Sequence, residues 1–518
     1  MKKSALIALI ALAAAGMAWA QPAAGPGEKS LSLEDCIVIA LRNNLNLRAE
    51  VLAPEAAGYG VRRASEIFIP QMTAGLNQSK QNTASFSFID AADQIITDNS
   101  VYNTNLTQLI PTGGELSLSL RSYRQESNRN FLTINPVYGS TLTFSFVQPL
   151  LRDFGLKTTR RQIIIAEHTR DVSEAQLKQT LIDTVYNVEE AYWNFVYSRE
   201  NLKVGEEALR LAKNLLTKSE RELEVGMIPE IELLSAKAEV ARREADIIQA
   251  EAEVKNAEDT LRRLINMPVE KDAPVPVLVP SERPTAEPFR MSFEEALGLA
   301  QMNRPDLENY RIQIRSRNLD LSYAKNQLLP DLNVEAQYWS PGISGTQLIY
   351  RDNDPLTGEV VDTIPGGASL ALKDAFNFKY KNWYVGLTLD IPLSSIVSRG
   401  QYLQAKLEAE RAVIRLEDQE KQVVLDIQTR LRACETDFKR IQAYRIAREL
   451  AEESLKAEEK KLMAGLSTNY TVLQFQRDLA TARSNELRAL IDYNLSLAGI
   501  ARATGTTLRD RDVSIGGQ

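Results

Sequence analysis

The stretch LEVGMIPEIELL, Leu223–Leu234, separates two heptad series. Leu202, Leu209, Leu216 and Leu223 recur at every seventh position before it, and Leu233, Val240, Ile247, Val254 and Leu261 do so after it. An apolar residue at every seventh position keeps one face of a helix on a continuous seam. Gly226 and Pro229 interrupt the pattern, so the segment predicts a turn between two antiparallel helices. Small residues follow three positions after the leucines: Gly205, Ala212 and Ser219. On the returning segment Ala236, Ala250, Ala257 and Leu264 stand in the same relation. Such a narrow seam suits close helix–helix packing.

The chain repeats this plan. LSLEDCIVIALRNNLNL, Leu31–Leu47, aligns without a gap with MSFEEALGLAQMNRPDL, Met291–Leu307. Each copy opens with a serine, Ser32 or Ser292, followed three residues on by Asp35 or Glu295, a pairing that caps a helix start. IFIP ends at Pro70 in one copy and QLLP at Pro330 in the other. Further on, VGMIPEIELL from Val225 matches AGLSTNYTVL from Ala464. Each copy then reads as a short helix, a second helix ending at a proline, a β-rich section, a further proline, a very long helix, a tight turn and a returning helix. Arg152 to Gly226 is one nearly unbroken helical pattern of roughly 70 residues, about 100 Å at 1.5 Å per residue. Ile396 to Gly465 is its counterpart. In the second copy Glu486 enters the seam formed by Val472, Leu479, Tyr493 and Ile500, which makes that seam less regular. Prolines at 268, 274, 276, 280, 284 and 288 make the segment between the copies an extended linker.

The β sections alternate. Leu142, Phe144 and Phe146 oppose Thr141, Thr143 and Ser145; Trp383, Val385, Leu387, Leu389 and Ile391 oppose Asn382, Tyr384, Thr388 and Asp390. Leu116, Leu118 and Leu120, and Leu332, Val334, Ala336 and Tyr338, repeat the pattern. Strands with one apolar and one polar face suit a membrane barrel, with lipid outside and water inside. A half-exposed soluble sheet gives the same alternation. The leader and the paired β sections favour the barrel. VYNTNLTQLIPTGGELSLSLRS, Val101–Ser122, reads as an additional hairpin turning at Pro111–Gly114.

The first residues, MKKSALIALIALAAAGMAWA, carry Lys2 and Lys3, an apolar run and Ala18-Trp19-Ala20, which predicts a cleaved secretory signal peptide over 1–20. Beyond it no apolar run approaches the roughly 20 residues a spanning helix requires. Taking Lys2 and Lys3 from 61 basic residues leaves 59 against 68 acidic, a net charge of −9, which argues against nucleic acid as a partner. The single histidine, His168, reads as a helix-surface residue, and no nucleophile elbow, phosphate loop or Cys/His metal cluster is present. The reading is therefore of a non-enzyme with no catalytic residues, cofactor or metal. Cys36 and Cys434 read as small buried side chains, and the sequence leaves their pairing open.

Together the duplicated S-x-E-[DE] block, the prolines at 70, 149, 330 and 392, the proline-rich linker and the two V/A-G-[ML] turns resemble the TolC-like outer membrane efflux proteins. The resemblance implies an α+β membrane protein. A trimeric outer membrane β-barrel, twelve strands with four from each chain, would continue into a long periplasmic α-helical (coiled-coil) barrel built from two internal repeats. The chain then divides into a signal peptide (1–20), a first repeat (21–266), the linker (267–290), a second repeat (291–505) and a tail (506–518). The first repeat holds an equatorial helix, a β section over 71–148, a long helix over 152–226 and a return helix over 230–266. The second holds the equivalent parts at 331–392, 396–465 and 468–503. The function implied is a passive exit duct of a tripartite efflux or type I secretion system in the outer membrane of a Gram-negative bacterium, with a large periplasmic part. Its partners would be two further copies of itself, a periplasmic adaptor (membrane fusion) protein, an inner membrane transporter and outer membrane lipid. The alternative is a non-conducting periplasmic or surface coiled-coil scaffold.

By match to the family, adaptor docking falls on Val225, Gly226, Met227 and Ile228 at one tip and Ala464, Gly465, Leu466 and Ser467 at the other. Where the family places acids at the periplasmic entrance, this chain has Thr471 and Gln474, and Glu232 is the one acid at an equivalent position.

Overall fold

The computed structural model describes residues 28–85, 93–130, 132–267 and 276–513. The expected signal peptide, the linker residues 268–275 and the last part of the tail lie outside the described residues. The chain divides into two compact units. One comprises residues up to Glu55, Asp171–Arg311 and Ile414 onward; the other comprises Ala56–Arg170 and Ile312–Val413.

The first repeat begins with strand β1 (Glu28–Leu31) and helices α1 (Leu33–Asn43), α2 (Leu45–Glu50) and α3 (Leu52–Ser65). Four strands follow: β2 (Gln71–Ala84), β3 (Gln94–Leu109), β4 (Glu115–Ser127) and β5 (Ile134–Pro149). A short helix α4 (Leu156–Thr159) leads to the long helix α5 (Arg161–Glu224) and the return helix α6 (Glu230–Ile265). After β6 (Val277–Pro280), the second repeat runs through α7 (Phe293–Asn303), α8 (Pro305–Asn326), β7 (Asp331–Tyr350), β8 (Val360–Ile364), α9 (Ala368–Phe376) and β9 (Asn382–Asp390). It ends with α10 (Ile396–Met463), α11 (Asn469–Thr504) and α12 (Thr507–Asp510).

The caps form as the sequence predicts. Ser32 Oγ accepts from Asp35 N at 3.0 Å while the Asp35 carboxylate accepts from Ser32 N at 3.1 Å. Ser292 Oγ accepts from Glu295 N at 3.1 Å. The long helix starts at Arg161 rather than Arg152. Asp153 at φ 60° and Gly155 at φ 108° are left-handed, which no helix accommodates, although the composition around them is helical.

In the first unit, Ile182, Val185, Val188, Tyr192 and Phe195 of α5 pack on Leu33, Cys36 and Ile37 of α1 and on Leu261 and Ile265 of α6. Each of these side chains is buried almost completely, a contribution of about 1.5–3 kcal/mol for each large one. Strand β1 pairs in parallel with β6, closing the linker onto this core. The Tyr192 hydroxyl donates to Leu31 O and accepts from Glu282 N. Along the first seam Ala208, Ala212, Leu215 and Ser219 are buried, so the small residues define the contact line. Cys36 and Cys434 are free thiols in separate apolar clusters. Burial pushes Cys36 up to about 12 and Cys434 up to about 11.

The second unit contains a seven-stranded sheet in the order β2-β3-β4-β5-β7-β8, with β9 pairing β7 beside β8. The hairpin expected at Pro111–Gly114 forms, joining β3 and β4. The first repeat alone supplies four strands to this sheet. All pairings within the sheet are antiparallel. Helix α9 packs on β5 and β7, where a Cβ on Gly342 would lie 2.0 Å from Ala371 O. His168 Nδ1 lies 2.8 Å from Ser316 Oγ, a local helix–helix hydrogen bond.

Candidate functional site

Two features stand out: the paired helix-hairpin tips of the first unit and the two-faced sheet of the second. At the first tip α5 ends at Glu224, and Gly226 takes φ +73°. Met227 N reaches back to Glu222 O at 2.7 Å, which satisfies a carbonyl of the last helical turn. At the second tip Gly465 takes φ +72° and Leu466 N reaches Lys461 O at 2.9 Å. The two backbones thus adopt one form despite different side chains. A Cβ at either glycine would meet nothing within 4 Å, so the requirement for glycine is conformational, with open space outside it.

The apolar side chains at these turns point outward. Val225 is 69% exposed, Met227 76% and Leu466 78%. Ile231, Leu234, Met463 and Tyr470 are also more than half exposed. Ala464 is exposed, while Ile228 and Ser467 are half-buried. The Ser467 hydroxyl donates to Glu458 at 2.6 Å, and together with Lys461 it holds the Glu458 carboxyl below the usual carboxylate range.

The tips are tied together. Asn469 N, at the start of α11, donates to Glu232 Oε2 at 3.2 Å, and Asn469 Nδ2 donates to Ser219 Oγ at 2.9 Å in a buried contact. Glu232 thus compensates the N-terminal N–H groups of the opposite hairpin. Thr471 N is capped by Thr468 Oγ1 at 3.3 Å, and Gln474 is exposed. Beneath the tips Leu215, Leu455, Val472, Leu473 and Leu479 form an apolar cluster. Sequence reasoning placed all eight tip residues at turns; it had no signal for the Asn469 contacts, which join residues some 240 positions apart.

Further from the tips, charges pair across the second hairpin and, in the first, within α6. The Glu486 that interrupts the second seam accepts from Arg448 at 2.5 Å and lies 3.6 Å from Arg445. Buried Glu239 meets Arg243 at 3.0 Å and Arg242 at 3.2 Å. Elsewhere in this unit Glu189, 2% exposed, accepts from Arg511 at 2.6 Å. Burial pushes the Glu189 carboxyl up against the opposing pull of Arg511. Burial also raises Glu282, although it accepts from Leu33 N at 2.9 Å. Asp306 is raised by burial but is held below the usual range by Arg304, 2.8 Å away.

In the sheet, residues directly opposite on neighbouring strands share a face. Met72, Leu106, Leu118, Phe144, Tyr338 and Trp383 form one register row across six strands. The adjacent row on the other face is Gln71, Thr107, Ser117, Ser145, Gln337 and Tyr384. One face is thus apolar and exposed, with Leu116, Val385, Leu387 and Leu389 extending the band, and the other is polar. That is the arrangement of a strand set between lipid and water. Among the described residues no helix is long and apolar enough to cross a membrane, and no group of side chains is arranged to hold a metal ion.

Comparisons with known proteins agree with this architecture. The chain is 24% identical over 352 residues to the outer membrane protein TolC of Vibrio cholerae, covering 67% of this chain and 73% of that one. It is 20% identical over 356 residues to the alkaline protease secretion protein AprF of Pseudomonas aeruginosa, covering 68% and 66%. Its fold matches the crystal structure of the CmeC outer membrane channel of Campylobacter jejuni with a TM-score of 0.63 at 15% identity, over 92% of this chain and 86% of that one. The profile of the outer membrane efflux proteins matches residues 115–267 and 296–506. This chain, with its duplicated hairpin tips and two-faced sheet, belongs to the outer membrane efflux protein family.

Proposed function

We propose that this protein is the trimeric exit duct of a tripartite efflux or type I secretion system. It conducts substrates passively across the outer membrane from an inner membrane pump, and a periplasmic adaptor docks on its hairpin tips. The observation that carries the adaptor reading is the exposure of Val225, Met227 and Leu466 around two glycines that leave space for another backbone. Exposed apolar clusters of this kind mark interaction sites. Glu232, Thr471 and Gln474 lie in or beside the first turns of the return helices and line the entrance in this reading. The polar residues at 471 and 474 leave the entrance without a second acidic ring.

Self-association is supported by an apolar stripe on α10. Ile414, Leu425, Ile446 and Leu450 are each more than 60% exposed, and a second copy would cover them. The two-faced sheet weighs against a coiled-coil scaffold, which needs no lipid-facing row. AprF is described as a protease secretion protein and CmeC as an outer membrane channel; whether proteins or small molecules pass through this duct is a property of its pump.

The test is a pair of double variants, Gly226→Val with Gly465→Val and Met227→Asp with Leu466→Asp, in the native host. Both should abolish efflux or secretion and adaptor co-purification while the trimer persists on native gels. Normal transport in both would refute docking at the tips.

A further inference from the structure

We propose that each chain contributes six strands to the transmembrane barrel, and that the barrel closes by pairing β2 of one copy with β9 of the next. This rests on the duct reading above and replaces the family's four strands per chain.

In lipid every backbone N–H and C=O needs a partner within the protein, so an open sheet edge is not viable there. Among the described residues β2 pairs only with β3, and β9 only with β7. Each leaves one edge unpaired, over 14 residues in β2 and 9 in β9. Both edge strands belong to the membrane band. Met72 and Trp383 end the apolar row that crosses the sheet, at 69% and 73% exposure. The charged residues in these strands are Lys80 of β2, 3.7 Å from Asp98 on β3, and Asp390 at the end of β9, and neither strand has a bulge in its register, one of the devices that protect an edge meant to stay free.

The directions also match. Strand β2 leaves the proline end of the sheet at Gln71, and β9 returns to it at Asp390, opposite Asp331. Six alternating strands therefore bring β2 and β9 of neighbouring copies together antiparallel, the same pairing as every other one in the sheet. Five or seven strands would bring them together parallel. Strand β8 does not change this count, since it pairs only with the distal end of β7, Gln347–Tyr350.

The extra hairpin is part of the wall. Leu106 of β3 and Leu118 of β4 lie side by side in the same apolar row, and both strands run through it. The β3–β4 turn sits at the proline end, where Gly155 N donates to Thr112 O at 3.0 Å and Thr112 Oγ1 to Gln148 at 2.8 Å. Three copies of six strands give eighteen, a barrel about 1.5 times as wide as one of twelve, since diameter grows with strand number.

A single-particle map of the full-length protein in lipid nanodiscs counts strands per copy directly. Six per copy, with β2 beside β9 of the neighbour, is the expected result. Four per copy, with β4 beside β9 and the β2–β3 hairpin outside the wall, overturns the proposal. A copy number other than three refutes the trimer while leaving the six-strand seam intact, and a particle with no barrel refutes both. Cysteine pairs in a Cys36→Ala, Cys434→Ala background give an independent readout in native membranes. Scanning Thr73→Cys and Gly75→Cys against Gly386→Cys and Thr388→Cys should yield covalent multimers under oxidation. Ser117→Cys and Ser119→Cys against the same β9 positions should not; the reverse result overturns the seam.

Discussion

Asn469 N lies 3.2 Å from the Glu232 carboxylate, so the start of the second return helix is held by a side chain from the first. The same asparagine reaches Ser219 on α5 through its side chain. Two hairpins from opposite halves of the chain are thereby locked at the level of their tips. Asn469→Ala removes one buried hydrogen bond and leaves Ser219 short of a partner, a cost of about 1–3 kcal/mol. Hydrogen exchange over 462–475 should accelerate in this variant while exchange in the sheet is unchanged.

Arginine placed on the apolar row should destabilise the assembled protein by about 2–4 kcal/mol at mid-membrane depth, and arginine on the polar row by far less. Phe144→Arg and Leu106→Arg are the first kind, Ser145→Arg the second. Heat-dependent mobility of the assembled protein on gels checks this. Leu106→Arg should behave like Phe144→Arg, since the two residues stand in the same apolar register row.

Buried Glu189 gives a pH signature. Its carboxyl is raised above the ordinary value, so the folded chain holds a proton that the unfolded chain has released. Stability from this group is present below the ordinary carboxylate value of about 4.3 and is lost as pH climbs through the raised folded value. Glu282 acts in the same direction. Asp306 is held low and acts oppositely: its contribution is present above its ordinary value and is lost as pH falls through the depressed one. Glu189→Gln should therefore flatten the decline in melting temperature between mildly acidic and neutral pH. Arg511→Ala leaves Glu189 buried without its partner and should cost about 1–3 kcal/mol or more near neutral pH. Adding Glu189→Gln should restore most of that loss.

The second seam should be the salt-sensitive one. Glu486 is mostly buried beside Arg448 and Arg445, whereas the first seam rests on Ala208, Ala212 and Leu215. A double-mutant cycle on Glu486→Gln and Arg448→Gln should give a coupling of about 1 kcal/mol, at the upper end of exposed pairs. Ala212→Ser, by contrast, should show no dependence on ionic strength. Thermal unfolding followed in low and high salt distinguishes them.

How much of this could be read in advance depended on period. The heptads located α5, α6, α10 and α11 to within a residue or two at the tips, because a seven-residue repeat broken by glycine has few other readings. Alternation likewise placed Leu116, Phe144 and Trp383 on one face. The start of α5 differs from the helical pattern, since Asp153 and Gly155 take positive φ that the composition around them does not signal. Strands β1 and β6 span four residues each, too few to show a period. Helix α9 lay hidden within a section read as β throughout. The Pro111–Gly114 turn, read from the chain's own glycines and proline, located the β3–β4 hairpin that the family resemblance did not supply. The contacts of Asn469 and Arg511 depend on which elements meet in space, which spacing along the chain does not encode.

The two tips share one backbone shape and differ in side chains, Val225–Met227 against Ala464–Leu466. A binding partner that recognises the shape alone finds two equivalent stations on every chain. A partner that recognises the side chains finds one of each kind. In a trimer the first sees sixfold valency and the second threefold. The first gains avidity from linked subunits gripping successive stations, so a weak contact at each turn is enough to hold a ring of partners in place.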